Sequence, residues 1–494
     1  MVFTDPIFLF AFLPLAIALF HATRIIVGGQ EALAVAVLAS LIFYGWWNPP
    51  YLLLLGGMIA FNYAMAMCLA QDRSSRILAF AICVNLLVLG YFKYRNFFLE
   101  PAGVMLGHEW SLGAIFVPLG ISFYTFEQIA LLVDIGDGRA TRPKFLDFVL
   151  YVTMYPHLIA GPIVLYRELD HQFGKLRNGG FAGLRSFGPG VVVFILGLFK
   201  KVVIADNLAP YVIYGFDSHL SLTMLEAWAA AVGFGLQLYF DFSGYSDMAV
   251  GLALMLGFVL PINFDTPYRA TSMIDFWKFW HMTMTRFFMM YVYSPLALAW
   301  GRAAMERGLG TWPAFCIAIA APIMTTFLVS GLWHGAGWTF VMFGLVNGIG
   351  LVVNHAWRQA KMPPLPSAAG WLLTMITVIV SFVYFRCSDL TQANTMLATM
   401  VSPSSLFVPN WLSAWADRHG LPWTRLDLFN SGTFTVSMTA MLAVAAILSV
   451  LLPNWAKTWP NLVPGIRLAI ATALMICLIG SWLGEPRIFI YFQF

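Results

Sequence analysis

Three of the nine histidines stand inside apolar or aromatic runs. They are His157 in PHLIAGPIV, His281 in FWKFWHMTMTRF and His334 in FLVSGLWHGAGWTF. Burial lowers an imidazole pKa and favours the neutral, proton-accepting form, which suits general-base work near neutral pH. The same surroundings also suit a core imidazole satisfied by its neighbours, and residue type leaves both readings open. Around His334, Gly331, Gly335 and Gly337 would let another backbone or an extended ligand approach closely. Trp333 and Trp338 would be placed to wall a narrow passage beside it. The other histidines (His21, His108, His171, His219, His355 and His419) fall near predicted helix ends or loops.

Carboxylates form a second group. Asp241 and Asp247 lie in LQLYFDFSGYSDMAVGLALMLG, Leu236 to Gly257, together with Gln237, Ser243, Tyr245 and Ser246. An ionised carboxylate at a membrane helix centre costs about 2.5–3.5 kcal/mol on insertion scales, so these residues must face protein or a wet cavity. Either they glue helices together, or they line a polar cavity or proton path. Lys200 and Lys201, in LGLFKKVVIADN, stand where a helix is expected to leave the membrane. They read either as snorkelling anchors or as an attraction for the phosphates of a cytoplasmic cofactor.

The elements that must hold these groups are set by composition. Of 494 residues, 60% are hydrophobic and only 10% charged, with a mean hydropathy of +0.79. A soluble protein has about a quarter of its residues charged, so this is an all-α polytopic membrane protein. The net charge of +4 fits basic residues gathered in short cytoplasmic loops and gives nucleic acid no purchase. Five scattered cysteines predict neither a disulfide framework nor a metal site. Apolar runs near 6–28, 31–48, 49–70, 76–98, 112–134, 188–214, 225–260, 312–333, 336–357, 368–386, 435–453 and 466–484 predict about 11 to 13 membrane elements by length. The first run lacks a basic start and a cleavage site and reads as a retained helix. No stretch is large enough for a separate soluble domain, so residues 1–494 read as a single membrane domain.

Two segments do not read as simple spans. Phe148 to Leu169 contains Pro156, Gly161 and Pro162 and is flanked by basic residues. Proline breaks the helix, and such backbone is tolerated in a membrane only under cover of protein or a cavity, which predicts a re-entrant hairpin. Residues 260–295 carry Asp265, Arg269, Asp275, Lys278 and Arg286 among many aromatics, which predicts an interfacial amphipathic segment bearing His281. The break at 403–432 is tryptophan-rich and also reads as interfacial.

Seven motifs occur in one order: PHLIAGPIV, GLFKKVVIADNLAPYV, QLYFDFSGYSDMAVGLALMLGF, NFDTPY (with Asn263), FWKFWHMTMTRF, LVSGLWHGAGWTFVMFGLVNG and a terminal FIYFQF. In that order they resemble the membrane-bound O-acyltransferase family, and in particular its bacterial alginate O-acetyltransferase branch. The resemblance implies a ring of tilted helices around a thin centre, with a cytoplasmic funnel for an acyl donor. It implies His334 as the catalytic base and His281 as its upstream assistant. His157, Asp241, Ser243, Tyr245, Asp247, Asn263, Trp333 and Trp338 would form the tunnel wall and polar network. Phe287 to Arg302, FFMMYVYSPLALAWGR, departs from the branch by lacking an Arg-Asp pair and a Gly-Gly ending. The eventual acceptor therefore stays open among alginate, cellulose and other secreted glycans.

The implied chemistry is acetyl transfer from a cytoplasmic thioester, acetyl-CoA, in the bacterial inner membrane. FIYFQF, within an aromatic tail at 485–494, resembles a motif in which a tyrosine, here Tyr491, relays the acyl group. A periplasmic SGNH-type acetyltransferase would take it onward to the polysaccharide. An interfacial anchor is the other reading of that tail. A transporter or flippase, a lipid acyltransferase and a D-alanyl transferase are the competing functions.

Overall fold

A computed structural model describes residues 1–105, 107, 116–179, 183–217, 222–402, 406–408, 413–420, 423–425, 436–452, 454–458, 465–482 and 489–490. Nearly all regular structure there is helical, as expected of a chain that must satisfy its backbone internally in lipid. Two three-residue strands, Leu406–Val408 and Trp423–Arg425, pair in parallel. Among the described residues, eight helices are long and apolar enough to cross a membrane, including Phe8–Ile26, Thr311–His334, Trp338–Gln359 and Ser367–Arg386. Gly29–Gly45 and Ile470–Ser481 are apolar but shorter.

Two of the expected runs fall outside that membrane-crossing class among the described residues. The run at 112–134 becomes a described helix only from Ile121 to Gly136. The helix Met224–Leu256 has 33 residues, but its carboxylates, hydroxyls and Gln237 keep it out of the apolar class. That long helix is buried on nearly every face from Gly233 onward, as a helix enclosed by protein should be.

The chain divides into two compact units. The first comprises Met1–Phe199, Gly244–Asn263 and Trp455–Phe492. Inside it, the helix Phe145–Thr153 stops before Pro156, residues 154–165 run without regular helix, and a new helix begins at Tyr166. This broken segment is buried throughout. Tyr151 Oη lies 3.0 Å from the carbonyls of Glu127 and Val164, tying the two arms together. Asp147, buried beside it, is ion-paired with Arg177.

The second unit comprises Lys200–Ser243, Phe264–Asn454 and Gln493–Phe494. Within it lies most of the segment expected to be amphipathic, with Arg269 and Lys278 exposed. The described segment is two short helices, Met273–Phe279 and Met282–Phe288, joined through Trp280 and His281 and followed by a π-helical turn, Met289–Tyr293. Phe276, Trp277, Trp280, Met284, Phe287 and Phe288 are all buried. A single helix could not turn aromatics inward on so many sides, and the break at His281 is what permits it. The apolar helix ending at His334 and the helix Trp338–Gln359 form a tight hairpin. A Cβ on Gly331 would meet the Phe340 carbonyl, and one on Gly344 the Phe327 carbonyl. Glycine at both positions lets the two backbones touch.

Candidate functional site

His334 is the last residue of its helix, and Gly335 leaves in extended conformation. The apolar run therefore ends at this imidazole instead of passing through it. Gly335 is small because the Phe340 ring occupies the space a Cβ would fill. The glycines thus receive parts of this same chain. His334 is only 6% exposed, with the rings of Phe343 and Phe385 at 5.5 and 5.2 Å.

His281 comes from the break between the two short helices. Its φ of +42° is in the left-handed region, an uncommon place for a side-chain-bearing residue that needs support from its surroundings. Support comes from fixed caps on both sides. The Trp280 N–H donates to the Phe276 carbonyl at 2.8 Å, and the Thr285 N–H to the His281 carbonyl at 3.0 Å. The imidazole is fully buried. Phe242 stands edge-on at 4.7 Å and Phe264 stacks at 6.3 Å. Burial in this aromatic shell pushes the His281 pKa down to about 3, so the ring is neutral at ordinary pH.

Trp333 unites the two. Its ring lies 6.1 Å from His281 and 4.8 Å from His334, and it is itself buried. Two buried imidazoles on one indole, walled by phenylalanines, make an apolar setting suited to a proton acceptor shielded from water. Trp338 begins the next helix and is 60% exposed.

The polar network is placed as follows. In the second unit, Asp241 precedes Phe242, which touches His281. Lys201 Nζ donates to Asp241 at 2.6 Å and to Asp206 at 2.7 Å. Lys200 and Lys201 are both buried, on a π-helical turn Lys200–Ala205. The Lys201 charge is thus engaged by two carboxylates. A buried ammonium held between two carboxylates has no charge to spare for a phosphate. Ser243 is buried, and its hydroxyl has no hydrogen-bond partner among the described residues.

The remaining predicted residues lie in the first unit. Asn263 donates to Ser246 Oγ at 3.1 Å, and Asp247 is buried. Tyr245 is sandwiched between Phe3 and Phe489, each at 4.6 Å. Phe489 belongs to the FIYFQF tail, so part of that tail is an internal packing element. Tyr491 lies outside the described residues. His157 Nδ1 lies 3.2 Å from Glu127 Oε1, both buried, and Glu127 also accepts the Val164 N–H at 3.1 Å. Glu127 is the residue that sequence reasoning missed. Its signal was present, a carboxylate in the apolar run FYTFEQIALLV, the same anomaly that singled out Asp241.

The family model described as "MBOAT, membrane-bound O-acyltransferase family" matches residues 67–396. A peptidoglycan O-acetyltransferase of Helicobacter pylori is 36% identical over 434 residues, covering 81% of this chain and 80% of that protein. A probable alginate O-acetylase of Azotobacter vinelandii is 36% identical over 413 residues, covering 81% and 78%. A teichoic acid D-alanyltransferase of Streptococcus thermophilus is 29% identical over 290 residues, covering 54% and 68%.

Proposed function

The chain belongs to the membrane-bound O-acyltransferase family and is a polytopic O-acyltransferase, and from that premise we propose that it moves acetyl groups from a cytoplasmic thioester for O-acetylation of a secreted polysaccharide or of peptidoglycan. The donor is acetyl-CoA and the location is the bacterial inner membrane. The observation that carries the reading is the pair of buried imidazoles sharing Trp333.

In the reaction, a hydroxyl oxygen attacks the thioester carbonyl carbon while His334 takes the hydroxyl proton. The carbon–sulfur bond breaks, and His334 returns the proton to the leaving thiolate. His281, neutral and fixed by its left-handed backbone, orients the reacting group. Phe242, Phe264, Phe343 and Phe385 keep water from hydrolysing the thioester. Holding both reactants in place supplies several kcal/mol of the barrier reduction. Tyr491 takes the acetyl as a phenyl ester, and a periplasmic SGNH-type transferase passes it to the glycan. Relatives acting on peptidoglycan and alginate at equal identity support a glycan acceptor without choosing between them. The more distant D-alanyltransferase makes D-alanine the alternative acyl group.

The test compares cells carrying the parent or His334→Ala at matched protein abundance. Loss of O-acetyl from the secreted glycan or wall is expected. Unchanged acetylation would remove His334 from the chemistry, and D-alanyl ester in place of acetyl would select the alternative.

A further inference from the structure

A narrow groove in the second unit lies beside the catalytic hairpin, and neither His281 nor His334 lines it. Its volume is about 210 Å³, below the roughly 300–1,000 Å³ of pockets that engulf a whole small molecule. The walls are Trp277, Met284, Phe288, Ile323, Thr326 and Phe327. Its two threonine hydroxyls are spent on backbone: Thr326 donates to the Pro322 carbonyl at 2.7 Å and Thr285 to the Trp280 carbonyl at 3.4 Å. The interior thus offers water almost nothing and an alkyl chain a continuous surface. Trp277 adds one buried indole N–H that has no acceptor among the described residues.

One end of the groove is basic. Lys278 and His355 line it, the Lys278 side chain being 61% exposed. Arg358, three residues on, lies close enough to act electrostatically on both His355 and Asp275. Asp275 pairs with Lys278 at 3.2 Å, so two permanent cations face one carboxylate. His355 and Arg358 belong to the last turns of the apolar helix Trp338–Gln359. That end therefore falls at the level where lipid headgroups meet basic side chains. In the hairpin Gly348 abuts Met324 and Gly344 abuts Phe327, so the groove runs from the basic end at His355 inward to Ser330. A headgroup end joined to an alkyl-lined interior has the polarity of one lipid.

We propose that this groove is a binding site for one anionic phospholipid, with an acyl chain along Ile323, Phe327 and Phe288 and its phosphodiester against Lys278 and His355. The site is independent of the acyl chemistry and stands whatever group the enzyme transfers.

The test uses the full-length protein in nanodiscs of phosphatidylcholine alone or with phosphatidylglycerol, with retained lipid counted by native mass spectrometry after detergent extraction. The parent is expected to keep one phosphatidylglycerol. Lys278→Gln with His355→Gln should weaken that retention about fivefold or more, the effect of losing one cation and one imidazole contact to an anionic headgroup. Leu351 also lines the groove, and Leu351→Trp, which fills it, should abolish retention of either lipid. Cooperative unfolding in phosphatidylcholine identifies the folded variants, and either alone decides. No retained lipid in the parent, equal retention of phosphatidylcholine, or parental retention in a folded variant would overturn the proposal.

Discussion

His281 combines a left-handed backbone with a fully buried, neutral ring. Its folded pKa of about 3 lies below the ordinary 6.5. A group shifted in this direction contributes stability that is complete above the unfolded pKa and is lost as pH falls through the folded one. Acidification from pH 6.5 toward pH 3 should therefore lower the melting temperature of the parent more than that of His281→Gln. Equal acid slopes in a thermal-unfolding series would show that the ring is not buried as neutral. The Lys201 triad makes a second prediction at this scale. Lys201→Met leaves Asp206 and Asp241 facing each other in a buried site, and removing one partner of such a cluster costs about 3–5 kcal/mol. Adding Asp241→Asn should restore much of the loss. A double variant no more stable than the single one would mean that the charges are not coupled. The anomalies of Asp241 and His157 were legible because a charge or imidazole in an apolar run stands out. Their partners were not, since Lys201 and Asp241 are 40 residues apart and only folding brings them to 2.6 Å.

At the scale of elements, the hairpin around His334 depends on small residues whose roles differ. A methyl at Gly335 would enter the Phe340 ring, whereas one at Gly337 would meet only ordinary van der Waals contacts, the nearest at 3.5 Å. Gly335→Ala should cost about 1–3 kcal/mol, the usual range for overpacking, and reduce acyl transfer by shifting the end of the His334 helix. Gly337→Ala should stay near parental in folded yield and activity. If the two behave alike, Phe340 is not packed on the turn. The break at Pro156, Gly161 and Pro162 was readable from proline chemistry, and a buried, non-helical segment is found there. In the segment at 260–295 the sequence showed the charges and aromatics but not the break between two short helices. Periodicity does not reveal a single left-handed residue, and that residue turns Trp277, Trp280 and Phe288 inward.

For the whole molecule, the proposed transfer requires the acetyl group to leave the site where the thioester is spent. Phe489 and Ile490 are buried, with Phe489 stacked on Tyr245, which anchors the tail two residues before Tyr491. Tyr491→Phe should abolish glycan O-acetylation with protein abundance unchanged. After incubation with labelled acetyl-CoA, the parent's terminal peptide should carry a base-labile acetyl mass that the variant lacks. An unlabelled parental peptide would take Tyr491 out of the route and leave His334 chemistry intact.

Composition and hydropathy were sufficient for an all-helical membrane protein, because lipid forces every backbone group to be satisfied locally. Motif order carried the family, since each motif is a contiguous stretch whose residue types are fixed by packing or chemistry. Tertiary structure alone decided which polar groups meet. The ion pair Lys201–Asp241, the close approach of His157 to Glu127, and the joining of His281 to His334 through Trp333 are contacts between segments distant in the chain. No local pattern specifies such a contact. It forms because burying apolar surface brings the segments together, and a buried charge or imidazole then settles beside the partner that compensates it.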